Sequence, residues 1–221
     1  PWRNTWAQLY TQLGWDQVLQ RWPGLELTNW LQSRPLQTLE QMLLRQINSP
    51  LSSSGGRLFD AVAGALGLCR KQISYEGQAA IELENLARRA QDETAAYPFE
   101  LRDGVIGSAA MWAALLDDLA DGMDKARIAA RFQHGLATAI CDCAAGLCSR
   151  LGLDTVALSG GVFQNRTLFR TVHHDLEARG LQILSHSLVP NNDGGLSLGQ
   201  ALIGAARLLE PPAVNGRTTV R

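Results

Sequence analysis

A chain of 221 residues, 46% hydrophobic and 19% charged, carries enough apolar material for a sizeable core of one or two domains. Its formal net charge of −1 excludes a general DNA binder, because neutralising phosphates takes clustered Lys and Arg. No apolar run approaches the roughly twenty residues needed to cross a bilayer, and the opening PWRNTWAQLY lacks a signal-peptide pattern, so no membrane partner is expected and a cytoplasmic setting is. With no initiator Met, the chain is expected to be a processed product or a piece of something longer.

Residues 1–50 form a first expected unit, helical and rich in Trp: Trp2, Trp6, Trp15, Trp22 and Trp30 fall here, with breaks at Pro23, Pro35 and Pro50. Leu36, Leu39, Met42, Leu43 and Ile47 make a helical stripe over 36–47. This layer is expected to pack on the rest of the protein; the alternative is a docking surface whose aromatic residues anchor a partner.

A second unit is expected over 51–210. LSSS at 51–54 is a loop and a helix start, followed by GGRLFDAVAGALGL with a buried stripe at Leu58, Phe59, Val62, Ala65 and Leu66. Helices are also predicted over 76–91, over SAAMWAALLDDLADG, and from Lys125 to Leu151, with a short strand at YPFEL (97–101). The last third reads as strand 155–158, helix 162–179, strand 181–185 and helix 194–209. This β-α-β-α order calls for parallel pairing and a helix-rich α/β class. Residues 211–221 are polar and expected to be a flexible tail.

The four cysteines, Cys69, Cys141, Cys143 and Cys148, have no usual zinc spacing and read as small buried thiols. His173 and His174 are adjacent, hence about 100° apart on a helix, and form no i, i+4 metal pair. His134 reads as structural, and His186 has no evident partner in the sequence. No Ser/His/Asp or Cys/His arrangement points to a hydrolase.

Four glycine-bearing stretches could carry chemistry. In LSGGVFQNR, Ser159, Gly160 and Gly161 sit between a strand and a helix. There the amides of the first turn are unpaired, and glycine lets a phosphate or ribose approach the main chain. Asn165 follows in the first turn; a ligand-free tight turn explains the pattern equally well. In GGRLFDAVAGALG, Gly56, Asp60, Gly64 and Gly67 share a helix side, which points to a ligand or a tight contact because helical glycines cost up to about 1 kcal/mol each. Glu76 and Gly77 open a helix, Glu76 as a favourable charge and Gly77 as space for a ligand. In NNDGGLSLGQA, Asp193 by itself reads as a helix cap; the alternative is a metal ligand or a carboxylate beside phosphates.

SSSGGRLFDAVAGALG, ISYEGQAAIELE, ALSGGVFQNRTL and NNDGGLSLGQA, taken together and in this order, resemble the C-terminal region of the HypF family, the carbamoyltransferases of [NiFe]-hydrogenase maturation. PWRN and LLDDLADG…IAARF are similar as well, so the resemblance covers nearly the whole chain. It implies part of an actin/Hsp70/sugar-kinase-type fold with a helical insertion. It also implies a site for ATP or carbamoyl-adenylate, and carbamoyl transfer to the C-terminal cysteine of the partner HypE. By motif match, Asp60 would hold the ribose and Gly77 would line the adenine nucleotide site. Ser159, Gly160 and Gly161 would form the turn at the phosphates or adenosine, with Asn165 beside it. Asp193 would be the carboxylate ligand of a divalent metal, whether Mg, Fe or Zn, which displaces the capping reading. The family's further metal ligands come from a His-bearing helix in the first half of the fold, and no H-x-x-x-H spacing occurs here. The chain is therefore expected to be the second half of the domain, a partner of the remaining N-terminal domains, inactive alone and a weak nucleotide binder. No catalytic residue is assigned. A sugar or acid kinase of the same fold superfamily is the competing enzyme class, and it lacks its early acidic phosphate loop here.

Overall fold

Thr5 fixes the first helix to the fifth: its hydroxyl donates to the Ala61 carbonyl at 2.8 Å, across the contact between α1 (Trp2–Leu13) and α5 (Gly55–Ala65). The structure, a computed structural model, describes residues 1–209; the tail expected over 211–221 lies outside them. Between α1 and α5 run three short helices, α2 (Trp15–Arg21), α3 (Glu26–Gln32) and α4 (Leu36–Leu44). Gly14, at φ +80°, ends α1 and allows the sharp step into α2.

The Trp-rich layer packs inward. Trp6 and Trp22 are buried, and Trp2, Trp15 and Trp30 lie partly buried against the same cluster, which extends from Trp6 to Leu176. Trp22 Nε1 donates to Asp117 Oδ1 at 2.8 Å and Trp112 Nε1 to Gln8 Oε1 at 3.3 Å, so each ring buries its apolar body while its N–H is satisfied. Arg70 grips both oxygens of Glu26 at 2.6 and 2.9 Å and donates to the Gly64 carbonyl at 3.0 Å, tying α3 to the end of α5.

After α5 come α6 (Gln78–Ala87), a hairpin of β1 (Glu100–Arg102) and β2 (Val105–Gly107), α7 (Ala109–Ala120) and the long α8 (Lys125–Leu151). The sequence reading placed a strand at 97–101 and no partner for it. The hairpin forms because Asp103 and Gly104 both take positive φ, 51° and 78°, the requirement of a tight two-residue turn. Helix α8 has the predicted bounds. The Asp124 carboxylate accepts the Ala126 and Arg127 amides at 2.9 and 3.3 Å, and Gly152 at φ +66° closes the other end.

The last third holds β3 (Thr155–Leu158), a 3-10 turn (Gly161–Gln164), α9 (Arg166–Ala178), β4 (Gln182–Ser185), a second 3-10 turn (Asp193–Gly195) and α10 (Leu196–Leu209). β3 and β4 pair in parallel, Thr155 opposite Gln182 through Leu158 opposite Ser185, as the β-α-β order requires. The helix expected over 162–179 is broken at Asn165, whose extended backbone (φ −66°, ψ 107°) lets its side chain cap α9. One face of α9 (Leu168, Val172, Leu176) is buried against α8, whereas α10 leaves Leu196, Leu202, Ile203, Leu208 and Leu209 more than half exposed. No helix among the described residues is long and apolar enough to cross a membrane.

Candidate functional site

A cleft of about 680 Å³ opens between the start of α5, the start of α6 and the two 3-10 turns. Helix α5 supplies Gly56, Arg57 and Asp60; the approach to α6 and one side of that helix supply Glu76, Gly77, Ala80, Ile81 and Glu84. The first 3-10 turn brings Gly161, Val162 and Gln164, followed by Asn165, and the second brings Asn192 and Asp193. The fold thus gathers Asp60, Gly77, Gly161, Asn165 and Asp193 around one cavity from four separate stretches of sequence.

Two polar side chains in this cleft are withdrawn from solvent yet have a polar group without a partner among the described residues. Asn165 is 9% exposed; its Oδ1 accepts the Leu168 amide at 2.9 Å, and its Nδ2 is buried with no hydrogen-bond partner. A buried amide donor left unpaired is costly, about 1–3 kcal/mol, and a ligand acceptor would remove that cost. Asp60 is half-buried, forms no hydrogen bond or ion pair among the described residues, and burial pushes its carboxyl above the ordinary aspartate range.

The glycines divide by role. Gly77 takes φ +77° and a Cβ there would meet no heavy atom within 4 Å, so glycine serves the left-handed turn and leaves open space beside it. Gly64, grouped with Asp60 in the sequence, faces the other way: a Cβ on it would lie 2.5 Å from Thr5 Oγ1 and 3.3 Å from Pro1 atoms, so it serves the approach of α1. Gly67 lies beyond the end of α5 in a turn at φ +91°.

Ser159 and Gly160 are not among the residues lining the cleft. The Ser159 hydroxyl pairs with His186 Nε2 at 2.9 Å, giving His186 the partner the sequence did not reveal, and the Gly160 amide donates to the Asn191 carbonyl at 2.7 Å. The expectation of free amides in the first turn of α9 also changes. The Thr167 amide donates to Glu84 Oε1 at 3.1 Å and the Leu168 amide to Asn165, so neither is open to a phosphate. Asp193 does not cap the turn it begins; Asn192 Oδ1 accepts the Gly194 amide at 3.0 Å and takes that role.

Sequence reasoning missed Glu84, Arg57, Gln164 and Asn192. For Glu84 a signal existed, since Gly77, Ala80, Ile81 and Glu84 recur at helical spacing along one face of α6. The ionisable lining is acidic, with Asp60, Glu76, Glu84 and Asp193 against Arg57. Among the described residues no group of three or more His, Cys, Asp or Glu side chains could hold a metal ion, so Asp193 could supply a metal with only part of its ligand set.

The family described as carbamoyltransferase, Kae1-like domain, second subdomain, matches residues 1–200. The chain is 39% identical over 208 residues to carbamoyltransferase HypF of Rhodobacter capsulatus, covering 94% of this chain and 26% of that protein. It is 39% identical over 214 residues to a carbamoyltransferase HypF homolog of Cupriavidus necator, covering 93% of this chain and 52% of that one. A crystal structure of full-length HypF in the phosphate- and nucleotide-bound form superposes with a TM-score of 0.82 at 35% identity, over 96% of this chain and 27% of that chain. The chain spans between about a quarter and about half the length of these relatives. It belongs to the HypF carbamoyltransferase family and corresponds to the second subdomain of that family's Kae1-like domain.

Proposed function

We propose that the cleft holds an adenine nucleotide, ATP or carbamoyl-adenylate, and that the chain is the nucleotide-binding half of an enzyme passing a carbamoyl group to the C-terminal cysteine of a HypE-like protein. The observation that carries this reading is a glycine-lined cleft whose lining includes both Asn165, with its Nδ2 buried and unpaired among the described residues, and Asp60, whose carboxylate has no partner there. Asp60 accepts hydrogen bonds from the vicinal ribose hydroxyls, and Asn165 donates to a ring nitrogen or a ribose or phosphate oxygen. Gly77 and Gly161 leave room for the nucleoside, and Ser159 and Gly160 back the turn behind Gly161. The nucleotide-bound form of the full-length relative supports the ligand class.

In the transfer, the acceptor thiolate attacks the carbamoyl carbon of the mixed anhydride. A C–S bond forms, the carbon–oxygen bond to the phosphate breaks, AMP leaves with that oxygen, and the thiol proton passes to solvent. This chain's part is to orient and hold the adenylate. The acidic lining favours hydroxyls over bare phosphates, so the nucleotide enters as its Mg²⁺ complex. The rest of an actin/Hsp70/sugar-kinase-type fold, further metal ligands and the earlier chemistry belong to the domains that longer relatives carry, in a cytoplasmic setting.

Ligand-observed NMR and calorimetry with ADP and Mg²⁺ test the reading. The wild-type chain binds, and Asp60→Ala binds about tenfold more weakly, the loss of a charge-assisted hydrogen bond. Equal binding by both removes the Asp60 assignment, and absence of binding by the wild type overturns the proposed function.

A further inference from the structure

Glu84 lies two turns beyond Gly77 on α6, and its side chain is 10% exposed. Three donors converge on its Oε1: the Thr167 amide at 3.1 Å, the Thr167 hydroxyl at 3.1 Å and Arg88 at 2.6 Å. Arg88 closes the group through Nε, which donates to the Thr167 hydroxyl at 3.4 Å. Thr167 sits in the first turn of α9, directly after the residue that Asn165 precedes, and Asn165 caps that turn through Leu168. Glu84 and Asn165 both line the cleft.

We infer that Glu84 is a positioning residue for the nucleotide site: by clamping the first turn of α9 to α6, it sets where the Asn165 Nδ2 donor points. The inference rests on the nucleotide reading of the cleft. The physical reason is the absence of any other polar tie on that donor. Asn165 Nδ2 has no partner among the described residues, so its direction follows from the backbone at 165–168, and Glu84 accepts the one amide of that turn bonded to another helix among the described residues. A carboxylate is also favoured at a helix N-terminus, which strengthens the clamp. The acceptor atom is the requirement and the charge is secondary. Glutamine at 84 keeps an Oε1 for Thr167, and alanine removes it.

The test titrates ADP with Mg²⁺ against the wild-type chain, Glu84→Gln, Glu84→Ala, Asn165→Ser and the Glu84→Ala/Asn165→Ser double variant, each shown folded by circular dichroism. Expected are binding within about twofold of wild type for Glu84→Gln, about tenfold weaker binding for Glu84→Ala, and no further loss in the double variant beyond Asn165→Ser. Multiplying losses, or wild-type affinity in Glu84→Ala, overturn the inference. In the ligand-free protein, the Asn165 side-chain NH₂ resonances are expected to shift and broaden in Glu84→Ala and to stay in place in Glu84→Gln. Unchanged resonances in Glu84→Ala sink the positioning role even if ADP binds nowhere, an outcome that by itself would sink the nucleotide reading. Should Glu84→Ala fail to fold, Thr167→Val removes the hydroxyl contacts and keeps the amide one. It is then expected to weaken ADP binding to a lesser degree, and wild-type affinity in that variant overturns the inference.

Discussion

Asn165 caps α9 with one end of its amide, Oδ1 accepting the Leu168 N–H at 2.9 Å, and its other end, Nδ2, is buried with no partner among the described residues. The two ends can be separated by substitution. Asn165→Ser retains a capping oxygen and loses the amide NH₂ donor at the Nδ2 position; Asn165→Ala loses both. Thermal melts should show Asn165→Ala destabilised by about 1 kcal/mol and Asn165→Ser near wild type, while ADP titrations weaken in both. A cap without a ligand role would leave the serine variant's ADP binding intact.

Glu93 sets an acid limit on the fold. The Ala95 amide that donates to it, with the guanidinium groups of Arg127 and Arg131, holds its carboxyl at about 2, against burial that pushes the other way. The folded value lies below the unfolded one, so its contribution to stability is complete above about pH 4.5 and is lost as pH falls toward 2. Urea melts across that window should show the loss. Glu93→Gln should lower stability at neutral pH by about 1–3 kcal/mol and flatten the slope below pH 4.5.

Gly135 in the middle of α8 lies against the backbone of Tyr97, and a Cβ there would fall on the Tyr97 carbonyl oxygen. Alanine improves helix propensity by up to about 1 kcal/mol, but the backbone contact cannot give way. Gly135→Ala is expected to destabilise by about 1–3 kcal/mol net. Gly64→Ala is expected to act in the same direction by pushing Thr5 off the Ala61 carbonyl, with calorimetric melting as the measurement.

The thiols should differ in reactivity. Burial, with the neighbouring Asp175, pushes Cys141 up to about 12; burial and Glu82 push Cys69 up to about 11; Cys148 is buried. Iodoacetamide at pH 8 followed by mass spectrometry should label half-buried Cys143 first and leave Cys141 unmodified until the protein is unfolded.

Much of the architecture was legible because it is written in local pattern. The bounds of α8 follow from Asp124 and Gly152, and β3 and β4 follow from short apolar runs closed by polar residues and glycine. The β1–β2 hairpin was legible in principle through Asp103-Gly104 and was overlooked because its strands are only three residues long. The break before α9 was harder to foresee: the apolar spacing continues through Asn165, and only the competition of its side chain for the Leu168 amide stops the helix.

The cleft itself divides in the same way. Sequence alone determined which stretches bear a polar residue beside glycine, and so named Asp60, Gly77, Gly161, Asn165 and Asp193 as candidates, because glycine placement and helix starts are local properties. Tertiary structure decided which of those groups share a cavity and which are already satisfied. It turned Ser159 toward His186, gave the Thr167 amide to Glu84 and pressed Gly64 against Thr5. Such pairings join residues far apart in the chain, and hydrogen-bond satisfaction and close packing are settled only once the helices have met.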